Sequence, residues 1–282
     1  MTIKNEKRLK KNAMIEIKNV SLILMVSLLG LLYLSSCGVS RKDTPDDREQ
    51  LIRKELGITI QTKWSHNIVN QKQYYDEEGR LIDEKWLNPN GVVVTRRVLE
   101  YDDQTGKLDN TIWYKGEQVL RSKYHYSYDQ DGNLVEELWL TPFDEIQTRT
   151  VYNYDNGDLI EEIKYDRNDN LISTAIYLYR NGFLNEYIER DRRDDIVNRH
   201  LYSYNSDGDL IEESWLNESG EVTVSRVYSY VDGLMQSKTE YRYEEFYHRA
   251  VYEYDSNGLI VQEIWYNESG EPIFENQYTY DY

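Results

Sequence analysis

Nine tyrosines recur along this 282-residue chain at a nearly fixed interval, and that period limits the fold more than any other feature. Tyr75, Tyr101, Tyr128, Tyr154, Tyr179, Tyr204, Tyr230, Tyr254 and Tyr280 are spaced by 26, 27, 26, 25, 25, 26, 24 and 26 residues. The fullest copy is Tyr126 to Trp139, and Tyr202 to Trp215 and Tyr252 to Trp265 repeat it almost residue for residue. A fixed period in this range is the signature of a repeat architecture, in which each unit buries its apolar face against its neighbours.

Each unit reads as two strands. Residues 147–154, 199–204, 226–230 and 249–254 share an Arg, an apolar residue and alternate tyrosines, the period-2 pattern of aromatic and β-branched strands. Gly79, Gly106, Gly132, Gly157, Gly182, Gly208, Gly233 and Gly258 follow three to five residues after an anchor tyrosine, where a hairpin needs positive φ. Two residues beyond each stands Leu81, Leu108, Leu134, Leu159, Leu184, Leu210, Met235 or Ile260, and the second strand continues to Trp86, Trp113, Trp139, Trp215 or Trp265. Asn88 to Gly91, Asn217 to Gly220 and Asn267 to Gly270 supply a second turn. Strands joined this tightly are antiparallel neighbours.

The expectation is an all-β chain of tandem β-hairpin repeats, about seventeen strands, forming a long coiled antiparallel meander or solenoid-like sheet. A flat sheet of that size exceeds the roughly ten strands that open twisted sheets tolerate, so it must coil, curl or close. Alternation puts both tyrosines of a unit on one face and Arg149, Arg199 and Arg249 on the other, and it splits the paired acids Asp83-Glu84, Glu136-Glu137, Glu161-Glu162 and Glu212-Glu213 between the faces. The charged segment Glu189 to Asp195 replaces the Trp position and predicts a bulge, a longer loop or a bend.

The N-terminal part has a different character. Residues 1–20 carry six basic and two acidic side chains, and Ser21 to Leu34 is a fourteen-residue apolar run, too short for the ~20 residues that span a bilayer. It ends in Leu34-Ser35-Ser36-Cys37, which resembles the lipobox of bacterial lipoproteins. That resemblance implies a signal peptide over residues 1–36, acylation of Cys37, and membrane attachment through that residue. Gly38, where an inner-membrane retention signal carries Asp, points by the same resemblance to the outer membrane, facing either the periplasm or the surface. Residues 37–60 read as a tether with one short helix, capped by Thr44, begun by Pro45 and stopped by Gly57. The repeat domain spans residues 61–282.

Cys37 is the only cysteine, so no disulfide supports the fold. Without residues 1–36 the chain has 27 basic groups (33 − 6) and 49 acidic ones (51 − 2), a net charge near −22 that argues against nucleic acid as a partner. Tyr126 to Leu134, with its Tyr-x-Tyr-Asp-x-x-Gly-x-Leu pattern, resembles the YD repeat of Rhs-type bacterial surface and toxin proteins, as do Tyr152 to Leu159, one residue shorter, and Tyr202 to Leu210, with Asn205 for Asp. The resemblance covers about residues 71–282 and implies β-hairpins wrapped into shells or solenoids that bind carbohydrate or surface partners.

No catalytic motif stands out. His66, His125, His200 and His248 occupy unrelated repeat positions, and neither a phosphate loop nor a metal-binding helix is present. The expectation is therefore a non-enzymatic envelope module without a cofactor. The aromatics Trp86, Trp139, Trp215 and Trp265 are candidates to stack on sugar rings; packing is their other use, and exposure decides between the two. The turn acids of Asp129 to Gly132 and Asp166 to Asn170 lack the full ligand set of a calcium loop. A third reading is a scaffold that engages an envelope protein through the aromatic face or a free sheet edge at Tyr278, Tyr280 and Tyr282.

Overall fold

A computed structural model describes residues 45–282. Cys37, Thr44 and the apolar run lie outside the described residues. A helix, α1 (Pro45–Leu56), precedes eighteen strands. The first six are β1 (Ile60–Ser65), β2 (Ile68–Tyr75), β3 (Leu81–Leu87), β4 (Val93–Tyr101), β5 (Leu108–Lys115) and β6 (Val119–Tyr128). The middle six are β7 (Leu134–Leu140), β8 (Ile146–Asp155), β9 (Asp158–Asp166), β10 (Leu171–Arg180), β11 (Phe183–Asp191) and β12 (Ile196–Tyr204). The last are β13 (Leu210–Leu216), β14 (Val222–Val231), β15 (Leu234–Arg242), β16 (Glu245–Tyr254), β17 (Ile260–Tyr266) and β18 (Pro272–Asp281).

Every strand pairs antiparallel with its neighbours in sequence, as the hairpin reading requires, but the sheet is neither open nor a solenoid. It closes. β1 pairs with β2 on one side and with β18 on the other, from Ile60 opposite Asp281 to Ser65 opposite Asn276. The segment ahead of the first complete repeat, with Trp64, supplies β1, one strand more than the seventeen expected. Closure also removes the expected free edge, since Tyr278 pairs with Lys63 and Tyr280 with Gln61. A closed ring is the complete remedy for unpaired edge N–H and C=O groups.

The register explains how the ring shuts. Tyr126 faces Glu137, and Glu137 faces Thr150, whereas the residue equivalent to Tyr126 one unit on is Tyr152. Each unit thus steps by 152 − 150 = 2 residues, and the closing unit does the same, with Tyr278 opposite Lys63, Lys63 opposite Gln71, and Gln73 as the equivalent position. A constant step spread over all units gives the uniform tilt, roughly 35°, that a barrel needs. Bulges absorb the geometry in nearly every hairpin. The charged segment after Glu189 has the expected bulge, between Glu189 and Arg190, but no longer loop or bend: Asp194 at φ 71° completes an ordinary tight turn.

All eight anchor glycines adopt positive φ. At Asn156-Gly157 both residues are left-handed (52° and 89°), the two-residue hairpin turn whose twist matches its strands. Gly79 has a second reason to lack a side chain. A Cβ there would stand 2.5 Å from the Gln50 carbonyl oxygen, so the glycine lets α1 lie directly on the turn. The helix ends at Gly57 (φ 66°), where the Ile58 N–H donates to the Arg53 carbonyl at 2.9 Å. Instead of hanging free as a spacer, it crosses part of one barrel mouth, near the turns at Gly233, Gly258 and Gly79. Ile58 is fully buried there with Tyr75 and Leu259, and Ile52 and Leu56 pack around them. The Arg53 guanidinium sits 4.6 Å above the Tyr75 ring.

Candidate functional site

Pairing partners share a face, so the register sorts every strand residue to the inner or the outer wall. The outer wall is mixed at mid-strand, where aliphatic side chains such as Val98, Ile112, Leu138, Val151, Ile176 and Ile188 stand beside ion pairs. Asp83 pairs with Arg96 at 2.8 Å and Glu186 with Arg199 at 2.7 Å, while Glu136 approaches Arg149 at 3.7 Å. Asp83 and Glu136 are outward members of the acid pairs, and Arg149 and Arg199 are arginines that alternation assigned to that face.

The inner wall carries the anchor tyrosines, the repeat tryptophans and the other acid of each pair, whereas Tyr74, Tyr114 and Tyr165 lie outside with the arginines. The unit tyrosines lie here, and Tyr126, Tyr152, Tyr177 and Tyr202 are buried with Leu134, Leu159 and Leu184. Their hydroxyls reach back to the preceding hairpin. Tyr126 donates to Thr111 Oγ1 (3.2 Å), Tyr177 to Glu162 Oε2 (3.0 Å), Tyr228 to Glu213 Oε2 (2.9 Å) and Tyr278 to Glu263 Oε2 (3.2 Å). Side-by-side alternation of these tyrosines suggests ladders from unit to unit, but equivalent positions fall on alternate strands, so another residue, Glu162 after Tyr152 or Lys238 after Tyr228, stands between successive tyrosines.

The four candidate tryptophans all face inward, with Trp113 as a fifth. Trp86 stacks on Trp113 at 5.7 Å with the Arg97 guanidinium beside both rings. Trp139 stacks on Tyr124 at 6.4 Å and is the most open of the set, 37% exposed. Trp215 lies beneath Arg226 (4.4 Å) and beside His200 (5.1 Å), and Trp265 contacts His248 (4.6 Å) and Lys238 (5.1 Å). Trp86, Trp215 and Trp265 are half-buried. The tryptophans lie along the strands away from the α1 mouth, toward the second set of turns. Rings of sixteen to eighteen strands enclose more room than their side chains fill, so these ring faces line an interior space.

Oblique rows of five inner residues, one per strand, run through this wall. One is Tyr202, Glu213, Arg226, Glu240 and His248. Arg226 bridges two carboxylates, with Nε 3.0 Å from Glu240 and Nη1 3.8 Å from Glu213. Burial dominates the electrostatics. It raises the Glu213 carboxyl above its usual range, and it drives His200 and His248 down to about 4, so both rings are neutral near pH 7. Burial acts to raise Glu240, but the charge and hydrogen bond of Arg226, with smaller contributions from His248 and Arg242, together hold it below its usual range. Lys238 is pushed down by burial and by the nearby Arg226. Glu84 and Arg97 form a second buried pair at 2.6 Å.

Sequence reasoning found the tryptophans and the inward acids but did not place the cations between them. The repeat motif groups Arg226 with the arginines of the other face, and only the register shows that it, Arg97 and Lys238 share a wall with the aromatics. Among the described residues no group of three or more His, Cys, Asp or Glu is placed to hold a metal ion, and no helix is long and apolar enough to cross a membrane.

No family model matches the chain, and no curated protein matches it. Among solved structures, a porin-like protein from Bacteroides uniformis aligns over 79% of this chain and 98% of its own, at 10% identity and a TM-score of 0.42. A porin-like protein from Bacteroides vulgatus gives 12% identity over 79% and 98%, with a TM-score of 0.36. The TcdB2-TccC3 complex aligns over 79% of this chain but 16% of its own, at 12% identity and a TM-score of 0.35. Likenesses at this level transfer no function.

Proposed function

We propose that this protein is a non-enzymatic binding module of the bacterial cell envelope, attached through acylated Cys37, that takes carbohydrate onto the inner wall of its barrel. The observation that carries this reading is the set of inward indoles, Trp86, Trp139, Trp215 and Trp265, interleaved with carboxylates and cations. A sugar ring offers an apolar face for stacking and a rim of hydroxyls for charged hydrogen-bonding groups, and this wall supplies both kinds of partner. The outer wall supports a barrel standing in water: a membrane-spanning barrel needs an apolar outward band about 25 Å tall, and here Asp83-Arg96 and Glu186-Arg199 stand directly beside the outward aliphatic residues Val98 and Ile188. The YD-repeat resemblance of Tyr126 to Leu134 agrees with such a role.

A second reading, a scaffold for an envelope protein, draws on Phe143 and Tyr243, which project 83% and 72% exposed from turns at the end of the barrel opposite α1. A glycan-array screen of the whole protein separates the two. Carbohydrate binding that falls at least about tenfold in Trp139→Ala and Trp215→Ala supports the first, a factor worth ~1.4 kcal/mol. Absence of any glycan signal, or binding indifferent to both changes, defeats it. Replacing Cys37 with Ser tests the anchor separately: the variant should leave the membrane fraction, and continued attachment would refute acylation there.

A further inference from the structure

The two mouths of the barrel differ in character. Nine turns ring the mouth opposite α1, and eight of them carry an exposed large apolar residue in the turn or within two residues of it. Val92, Val119, Phe143, Tyr243 and Ile273 are each more than half exposed there, whereas on the turns of the α1 mouth Val231 alone is comparable among the described residues. Two clefts open between adjacent turns of the same mouth. One, of about 690 Å³, is lined by Leu171, Ile172 and Arg192, and the other, of about 370 Å³, by Val197, Leu216 and Glu218. Charge is divided around the ring. Arg167 and Arg192, on the β9–β10 and β11–β12 turns, form no ion pair among the described residues, and neither do Glu218, Glu244 and Glu268 on the three turns that follow.

We infer that this mouth is where two copies of the chain join, mouth to mouth, about a dyad that passes between the β11–β12 and β13–β14 turns. A dyad across a ring reverses the order of the turns, so its position fixes every pairing. Here it sets Arg192 against Glu218 of the second copy, Arg167 against Glu244, and Phe143 against the β17–β18 turn beside Ile273. Glu268 falls opposite the β7–β8 turn, where Lys123 already holds Asp144 at 2.6 Å. Tyr243 reaches the turn whose Leu171 and Ile172 line the larger cleft, Val119 meets the β1–β2 turn with Ile68, and Val92 meets its own copy. Both unpaired cations thus gain carboxylates, and apolar turns meet apolar turns. If each turn contributes roughly 100 Å², the nine together reach the ~800 Å² per partner of a standard interface. A membrane is the other surface that takes up exposed Phe and Tyr, but anionic headgroups oppose the glutamates of this mouth and the acidic balance of the chain. Joined in this way, the two interiors become one, with the tryptophans of both copies toward its middle.

Because the dyad sets Val92 against its own copy, a single cysteine there tests the arrangement. In membranes carrying the whole protein, mild oxidation should yield a disulfide-linked dimer from Val92→Cys and none from Asn257→Cys, which lies on a turn of the α1 mouth. Sedimentation of the wild-type protein in detergent, which needs no substitution, should find a dimer. Arg192→Glu should raise the concentration at which half the protein is dimeric by at least about tenfold, and adding Glu218→Arg in the same chain should restore it. A wild-type monomer, equal linking at Val92 and Asn257, or a dimer indifferent to Arg192→Glu would overturn the pairing. So would binding to phosphatidylglycerol vesicles that Phe143→Ser and Tyr243→Ser abolish, with no link at Val92, since the ring would then belong to a membrane surface.

Discussion

The Tyr128 hydroxyl donates a 2.8 Å hydrogen bond to the carbonyl of Leu108, twenty residues earlier and on the preceding hairpin. The same link joins Tyr101 to Leu81 (3.0 Å), Tyr254 to Met235 (2.7 Å) and Tyr280 to Ile260 (2.8 Å). In these units the anchor tyrosine latches to the residue that follows the previous turn. Tyr128→Phe keeps the ring and deletes the latch, and it should cost about 1–2 kcal/mol by urea denaturation, the worth of a hydrogen bond whose acceptor is left wanting. Unchanged stability would show that the ring alone fixes the period.

Arg97 and Glu84 make the tightest ion pair of the inner wall, at 2.6 Å, with Glu84 4% and Arg97 11% exposed at the side chain. Glu84 also accepts from the amides of Gln71 and Gln73. Arg97→Ala strands a buried carboxylate and should cost about 3–5 kcal/mol, whereas the double change Glu84→Gln with Arg97→Met should recover much of that loss. Equal destabilisation by the single and double variants would mean that the packing of Arg97 against Trp86 and Trp113, not its charge, is what matters.

Acid sensitivity follows from the two buried imidazoles. His200 and His248 are held near 4 when folded, while an unfolded histidine titrates near 6.5, so between those values the unfolded chain binds more protons and stability falls as acid is added. Glu162 and Glu213 work against this, because their raised folded pKa values make the folded chain the better proton acceptor above about 4.5. Replacing both histidines with Gln should flatten the loss of stability between pH 6.5 and 4 in thermal melts. A slope that survives the double replacement would assign the sensitivity to other groups.

Unit deletion tests the closure. Because each hairpin brings two strands and a two-residue step, removing residues 205–230 leaves a ring with the same ratio of step to strand, and it should still shut as a smaller folded barrel. Removing one strand alone leaves an odd number and forces β1 and β18 to meet parallel. Circular dichroism and size-exclusion chromatography should find the first variant compact and cooperative and the second aggregated; equal damage in both would speak against interchangeable hairpins.

The units themselves were legible because turn chemistry and alternation are local. Each anchor glycine stands where a positive φ is required, and Gly57 stops the helix as read. Ring closure was not legible, since nothing in Ile60 to Ser65 marks it as the partner of a strand more than two hundred residues away; only the accumulated two-residue steps decide whether a meander coils or shuts. The same limit applied to the candidate site. Trp139 and Trp215 announced themselves by type, but Arg226 became a partner of Glu213 and Glu240 only through cross-strand register. At Glu189 the bulge among the expected alternatives is present, but the charges fall on strand positions and a tight turn, so neither a longer loop nor a bend follows.

Pairing of Ile60 with Asp281 also sets a timetable. During synthesis every hairpin can dock on the one before it as soon as it emerges, yet the earliest strand keeps one side bare until the final ten residues arrive. Until that moment the chain is a growing ribbon with two sticky borders, and its protection from neighbouring copies depends on how quickly its own tail comes home.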